Sequence, residues 1–265
     1  MKILYAVGGV VSVLVAGYFV VPVLMPADAL AAAFANTIQI PYYRVDMEGG
    51  VNIGPSTSSM TTTLYFDTAN DRISGSSKTV GSLMLGAKAS KFTTHVDLVK
   101  DGNDFYFRSE QSGLPSPSVP EWIHIDTSSE AALSAKSQAL SSQSAHEAIL
   151  GMLKGETAML EIIEQNVEIL EGQPRAHYTL RITQQYLDSL APEIRSGLVQ
   201  MGLSTYDVWV DTSASYVVQI SYSAKSMSAK TRITKLDEAP TITIPGNAIS
   251  MEDYIKKQTE LMRTR

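Results

Sequence analysis

The sequence predicts an α+β fold: an N-terminal transmembrane helix followed by a strongly curved antiparallel sheet covered by helices. Three observations carry that expectation. From Ile3 to Met25 no residue is charged. From residue 43 onward, apolar and polar residues alternate with a period of two in segment after segment. Two stretches, 130–154 and 184–201, have helical composition or spacing instead.

The uncharged run, ILYAVGGVVSVLVAGYFVVPVLM, would form a helix about 35 Å long, enough to cross the ~30 Å hydrocarbon core of a bilayer. A cleaved signal peptide is the competing reading, with small-residue sites at Ala27-Asp28-Ala29 and Ala33-Phe34-Ala35. The run exceeds the usual signal length, however. Ala29, Leu30, Ala33, Phe34 and Thr37 also recur at helical spacing, as the first amphipathic helix of a folded domain would. An uncleaved anchor is therefore expected. Lys2, the single cation ahead of the run, keeps the N-terminus cytoplasmic and places the domain outside. The expected organisation is a membrane anchor over 1–26, an extracytoplasmic domain over 27–248, and a basic C-terminal helix or tail over 249–265.

Within the domain, Tyr43, Val45, Met47, Val51 and Ile53 share one strand face, and Arg44, Asp46, Glu48 and Asn52 the other. Gly49-Gly50 reads as a bulge or bend. Met60, Thr62, Leu64 and Phe66 repeat the alternation, and Asp67-Thr-Ala-Asn-Asp71 turns the chain. Arg72–Leu85 is amphipathic and less decisive. Phe92, Thr94, Val96 and Leu98 alternate with Thr93, His95 and Asp97, and Asp101-Gly102 supplies a hairpin into Phe105-Tyr-Phe107. A Pro-rich loop leads to a short strand, Trp122–Asp126. After the first helical stretch, strands are expected at Glu161–Leu170, Ala176–Thr183, Tyr206–Asp211, Tyr216–Ala224 and Met227–Leu236, with a turn at Glu171-Gly-Gln-Pro174. In the second helical stretch, Pro192 breaks or restarts the stripe of Tyr186, Leu190, Ile194, Leu198 and Met201. A terminal helix runs from Met251 to about Met262.

Several local patterns in this order resemble the superfamily of the outer-membrane lipoprotein carrier LolA and the mycobacterial lipoproteins LppX and LprG. They are the helix-to-strand entry from Asp28-Ala-Leu-Ala to Tyr43-Arg-Val-Asp, and Lys100-Asp-Gly-Asn-Asp-Phe-Tyr-Phe107 leading to Pro120-Glu-Trp-Ile-His124. Tyr206-Asp-Val-Trp-Val-Asp211 followed by Tyr216-Val-Val-Gln-Ile220 is another, and Leu236-Asp-Glu-Ala-Pro-Thr-Ile-Thr-Ile-Pro245 closes the set. The resemblance runs from about residue 28 to 248. It implies an open half-barrel with helices plugging its concave face, which binds acyl chains or lipoproteins or serves as an envelope sensor. The chain departs from the lipoprotein members in having no Cys.

The expected ligand wall comprises Met47, Met60, Leu64, Phe66, Phe92, Phe105 and Phe107, with Trp209 as a further candidate and Val96 between them. The same side chains would equally serve as core beneath the helices, and Trp122 and Trp209 as packing. Catalytic groupings are sparse, with 4 His, no Cys and no G-x-S-x-G elbow, so no enzyme, cofactor or metal is expected. His95-x-Asp97 and His124-x-Asp126 could hold a cation only if their strands were adjacent, and read as solvated polarity. A net charge of −6 argues against nucleic acid. The expected partners are the membrane through Ile3 to Met25, a lipid or acyl-chain ligand, and, on a second reading, an envelope protein contacted by an interaction or sensor module. The basic tail, Lys256-Lys257 to Arg265, could touch anionic lipid or complement its own helix dipole.

Overall fold

The computed structural model describes residues 28–53, 55–85, 88–113, 119–126, 160–189, 192, 195 and 205–263. The expected span Ile3–Met25 and the expected helix over 130–154 lie outside them. Among the described residues no helix is long and apolar enough to cross a membrane. The elements in chain order are α1 (Asp28–Thr37), β1 (Tyr42–Ile53), β2 (Ser56–Asp67), β3 (Arg72–Leu85), β4 (Lys88–Asp101), β5 (Asp104–Ser112) and β6 (Val119–Asp126). They continue with β7 (Leu160–Leu170), β8 (Gln173–Ile182), α2 (Gln184–Ser189), β9 (Thr205–Asp211), β10 (Tyr216–Ser223), β11 (Met227–Lys235), β12 (Ile249–Ser250) and α3 (Met251–Arg263). The strands are mostly antiparallel and the helices few. They divide into two compact units, and β1 passes from one to the other between Asp46 and Met47.

The first unit comprises, of the described residues, 28–40, 47–53 and those within 160–234. Its strands run in the order β11-β10-β9-β8-β7, each antiparallel to the next. The β7–β8 hairpin closes through Glu171 and Gly172, both at positive φ (54° and 77°), the backbone that a two-residue type I′ turn requires. At the β9–β10 turn the Asp211 carboxylate accepts hydrogen bonds from the Ser213 and Ala214 amides, at 2.9 and 3.0 Å. Period two then sets the core. Ala176, Tyr178, Leu180 and Ile182 share a face with Tyr206, Val208, Val210 and Val217, and Leu30 and Ala33 of α1 close it. α1 is fastened at its C-terminus: the Val217 amide donates to Thr37 Oγ1 (2.8 Å), and Asn36 donates to the Ser215 carbonyl (2.9 Å). At Gly49 a Cβ would lie 3.3 Å from the Ser228 carbonyl oxygen, a close approach to β11.

The second unit comprises, of the described residues, 41–46, those within 55–126, and 235–263. Its strands run β6-β5-β4-β3-β2, and Arg72–Leu85, undecided in sequence, is the long strand β3 paired along its whole length with β4. Asp67 organises the β2–β3 turn by accepting from the Asn70 amide at 3.1 Å. Gly102, at φ 58°, turns β4 into β5. The C-terminal segment returns to this unit, where β12 pairs in parallel with β6, a connection that the sequence pattern did not announce. α3 starts on a serine N-cap, the Asp253 amide donating to Ser250 Oγ (3.0 Å) and that hydroxyl donating to Asp253 Oδ2 (2.8 Å). Lys257 on α3 reaches Glu121 of β6 at 2.8 Å.

Candidate functional site

The antiparallel registers of the second unit decide which side chains share a face, because directly paired residues point the same way. Leu64 pairs with Gly75, Gly75 with Leu98, Leu98 with Phe107 and Phe107 with Ile123. The adjacent row runs Phe66, Ile73, Lys100, Phe105 and Ile125. Tyr43 stacks on Phe66 with ring centroids 4.5 Å apart, which puts Tyr43 and Val45 on this face as well. Phe66 and Ile123 are buried, whereas Leu64, Leu98, Phe105 and Phe107 are half-buried. Met60, Leu64, Phe66, Phe92, Phe105 and Phe107 are thus brought onto one wall, with Val96 among them.

Two glycines in β3 shape that wall. A Cβ at Gly75 would sit 2.7 Å from Leu64 Cδ2 and 2.1 Å from the Thr63 carbonyl oxygen. One at Gly81 would sit 2.6 Å from the Phe92 ring. The missing side chains let Leu64 and Phe92 lie flat across the strand. At the Phe66 end Lys100 extends past the aromatic rings to an ion pair with Asp71.

Met47 and Trp209 fall in the first unit. Met47 is buried there. Trp209 lies on the face opposite Tyr206, Val208 and Val210, stacked on His177 at 4.5 Å with its Nε1 donating to Glu168 (3.0 Å). The period of two in Tyr206–Asp211 already carried that orientation. His177 is flanked by Glu168 Oε1 at 2.9 Å from Nδ1 and Asp207 Oδ1 at 3.1 Å from Nε2. The first contact is a charge approach out of line with the ring N–H. Asp207 also accepts from Thr179.

The two His-x-Asp pairs diverge. His95 Nε2 meets Asp97 at 3.1 Å, and Asp97 is also bound by Arg108 (2.7 Å), whose guanidinium lies 5.1 Å from the centre of the Trp122 ring. His124 pairs with Asp104 across the sheet at 2.6 Å rather than with Asp126. These groups occupy the face opposite the apolar wall. Among the described residues no three His, Cys, Asp or Glu side chains are placed to share a metal ion.

Two ionisations are set by packing in the first unit. Burial, with Tyr222 and Tyr186 nearby, pushes the Tyr206 hydroxyl up to about 12. For Asp211 burial acts upward, but hydrogen bonds from Ser213, Ala214 and Arg175, together with the Arg175 charge, hold its carboxyl below the usual range.

No protein-family model and no curated protein matches the sequence. Among solved structures the chain is similar to LprF from Mycobacterium bovis, at a TM-score of 0.42 and 9% identity, over 83% of this chain and 96% of that one. The chain is also similar to a β-barrel-like protein of the DUF1849 domain from Brucella abortus (TM-score 0.31, 9% identity, 75% of this chain and 99% of that one). A third similarity is to a DUF1329 family protein from Desulfovibrio piger (TM-score 0.25, 10% identity, 80% and 93%). With TM-scores below 0.5 these likenesses bring no ligand, partner or residue role to this chain.

Proposed function

We propose that the protein is a membrane-anchored cell-envelope protein without catalytic activity that binds a lipid or another hydrophobic ligand against the apolar wall of its second unit. The observation that carries this reading is the half-buried row Leu64, Leu98 and Phe107 beside Phe105, gathered on one sheet face from β2, β4 and β5. Side chains of this kind that stay part-exposed retain apolar surface still to be removed from water, at about 25 cal/mol per Å². Apart from Lys100, which is ion-paired with Asp71 at the Phe66 end, the wall side chains named here are apolar, and the His95, Asp97, Arg108 and His124 groups are on the other face. The anchor is part of the same proposal: the uncharged run Ile3 to Met25 supports a single-pass topology with the domain outside.

The test is extraction and native mass spectrometry of the full chain purified in mild detergent, followed by titration with a fluorescent fatty acid. Co-purifying lipid, and uptake that Phe105→Ala alters without loss of fold, are the expected outcomes. A wild-type protein that carries no lipid and takes up none would end the reading and leave the envelope interaction module in its place. Retention of the full chain in the membrane fraction after alkaline wash tests the anchor, and a mature N-terminus at Leu30 or Asn36 would replace it with a signal peptide.

A further inference from the structure

An outer strand of the first unit is open where one of the second is covered. β6 pairs with β12 of the same chain, whereas β7 has β8 as its only partner among the described strands. One edge of β7 therefore presents backbone N–H and C=O groups that no described strand takes up. Its pairing with β8 shifts register between Ile162 and Glu164 and is regular from 164 to 170. That regular stretch is about 20 Å long, at ~3.4 Å per residue.

The two faces of this stretch differ in chemistry. Val167 and Ile169 stand opposite Ala176 and Pro174, whose side chains are too small to cover them, and each is 71% exposed. On the other face lie Glu164, Asn166 and Glu168. Glu164 is exposed and accepts from Asn166 at 3.3 Å, with no cation beside it among the described residues. Glu168 accepts from Trp209 Nε1 and is approached by His177. Solubility alone favours lysine or proline on an open edge, not valine and isoleucine. A second copy of β7 is a poor occupant, since antiparallel pairing would gather two copies of Glu164 and Glu168 on one face. Cationic side chains on an incoming strand would instead find complementary charge there.

We propose that residues 164–170 of β7 receive an extended segment of another protein, added as a further strand. The segment is about seven residues long and alternates in chemistry. Its apolar side chains cover Val167 and Ile169, and its basic side chains lie beside Glu164 and Glu168. Backbone hydrogen bonds along the edge supply the general attraction, and the alternation sets register and choice of partner. This docking edge lies in the first unit and is independent of the hydrophobic site proposed for the second.

The probe is a fluorescein-labelled peptide, Lys-Val-Lys-Ile-Lys-Val-Lys, titrated into the full chain in mild detergent. Two controls are a peptide of the same composition with its lysines in one block, and an alternating peptide with glutamate in place of lysine. The probe is expected to bind about tenfold more tightly than either control, and to slow amide hydrogen exchange within 164–170. Val167→Lys/Ile169→Lys should weaken it about tenfold with the circular dichroism spectrum unchanged. Glu164→Lys, on the other face, should weaken it about threefold and reduce its salt dependence, and gives an independent reading should the double variant fail to fold. Equal affinity for the alternating and block peptides, binding without added protection in 164–170, or no binding at all overturns the proposal. So does a wild-type protein that self-associates at neutral pH and loses that association in Val167→Lys/Ile169→Lys, which would make a second copy the occupant.

Discussion

The two units treat the same sheet geometry in opposite ways. In the unit built on β7–β11, one sheet face is sealed by α1, and Leu30, Ala33, Val208 and Val217 have no exposed surface at all. In the unit built on β2–β6, Leu64, Leu98, Phe105 and Phe107 share a face equally rich in apolar residues yet stay half-exposed. The first is what stability alone selects. The second keeps apolar surface in contact with water, and a Cβ at its Gly75 or Gly81 would run into neighbouring atoms. Apolar composition does not separate a core from a site, whereas incomplete closure does.

The largest effect is expected at Val45, the fully buried end of the second unit's wall. Val45→Asp places an unpaired charge there and should cost several kcal/mol, enough to prevent folding, as read by circular dichroism. Asp46→Val, on the other face, loses the contacts from Arg44 (2.8 Å) and Thr63 (2.9 Å) and should cost no more than about 1 kcal/mol. Equal melting temperatures would reject the assigned faces. Next comes the contrast between units. Leu180→Ala, in the sealed core, should cost about 2–5 kcal/mol in denaturant unfolding. Leu64→Ala should cost less, about 1–2 kcal/mol, because part of its surface is already in contact with water. Comparable losses would make the wall an ordinary core and remove the difference between the units.

Smaller effects test the sealed unit's polar groups. The folded carboxyl of Asp211 titrates below its unfolded value of about 3.9, so it contributes stability above that pH and loses it as the pH falls through the folded value. Asp211→Asn should therefore lower stability at neutral pH and flatten the acid limb of a stability–pH curve; an unchanged limb would refute the assignment. Tyr206 behaves with the opposite sign. Its folded value, about 12, lies above the unfolded value of about 10, so its contribution is complete below pH 10 and disappears as the pH rises through 12. Its buried hydroxyl has no hydrogen-bond partner among the described residues. Tyr206→Phe should stabilise the protein by up to about 1 kcal/mol and remove that alkaline loss, and a destabilised variant would show that the hydroxyl is held after all.

Much of the strand framework was legible because alternation reports which residues share a face. Met60, Leu64, Phe66, Phe92, Phe105 and Phe107 were grouped from that period, and the registers place them together. The turns at Asp67–Asp71, Gly102 and Gly172 were legible from residues that tolerate positive φ or cap a turn. Cross-strand identity was not. His124 meets Asp104 because the β5–β6 register brings them together, and no spacing within one strand encodes that. The parallel pairing of Ile249 with Ile123 needs the path of the 236–248 segment, which carries no periodic signal. The alternation of its own strand already separates Trp209, stacked on His177, from the face of Tyr206, Val208 and Val210.

β7 pairs with β8 alone among the described strands and carries Val167 and Ile169, each 71% exposed, on the same face as Ala176. Glu161, Glu164 and Glu168 are spaced between its apolar residues, with a register shift at Ile162–Glu164. Such an open edge avoids joining its counterpart on another molecule through like-charge repulsion and local irregularity.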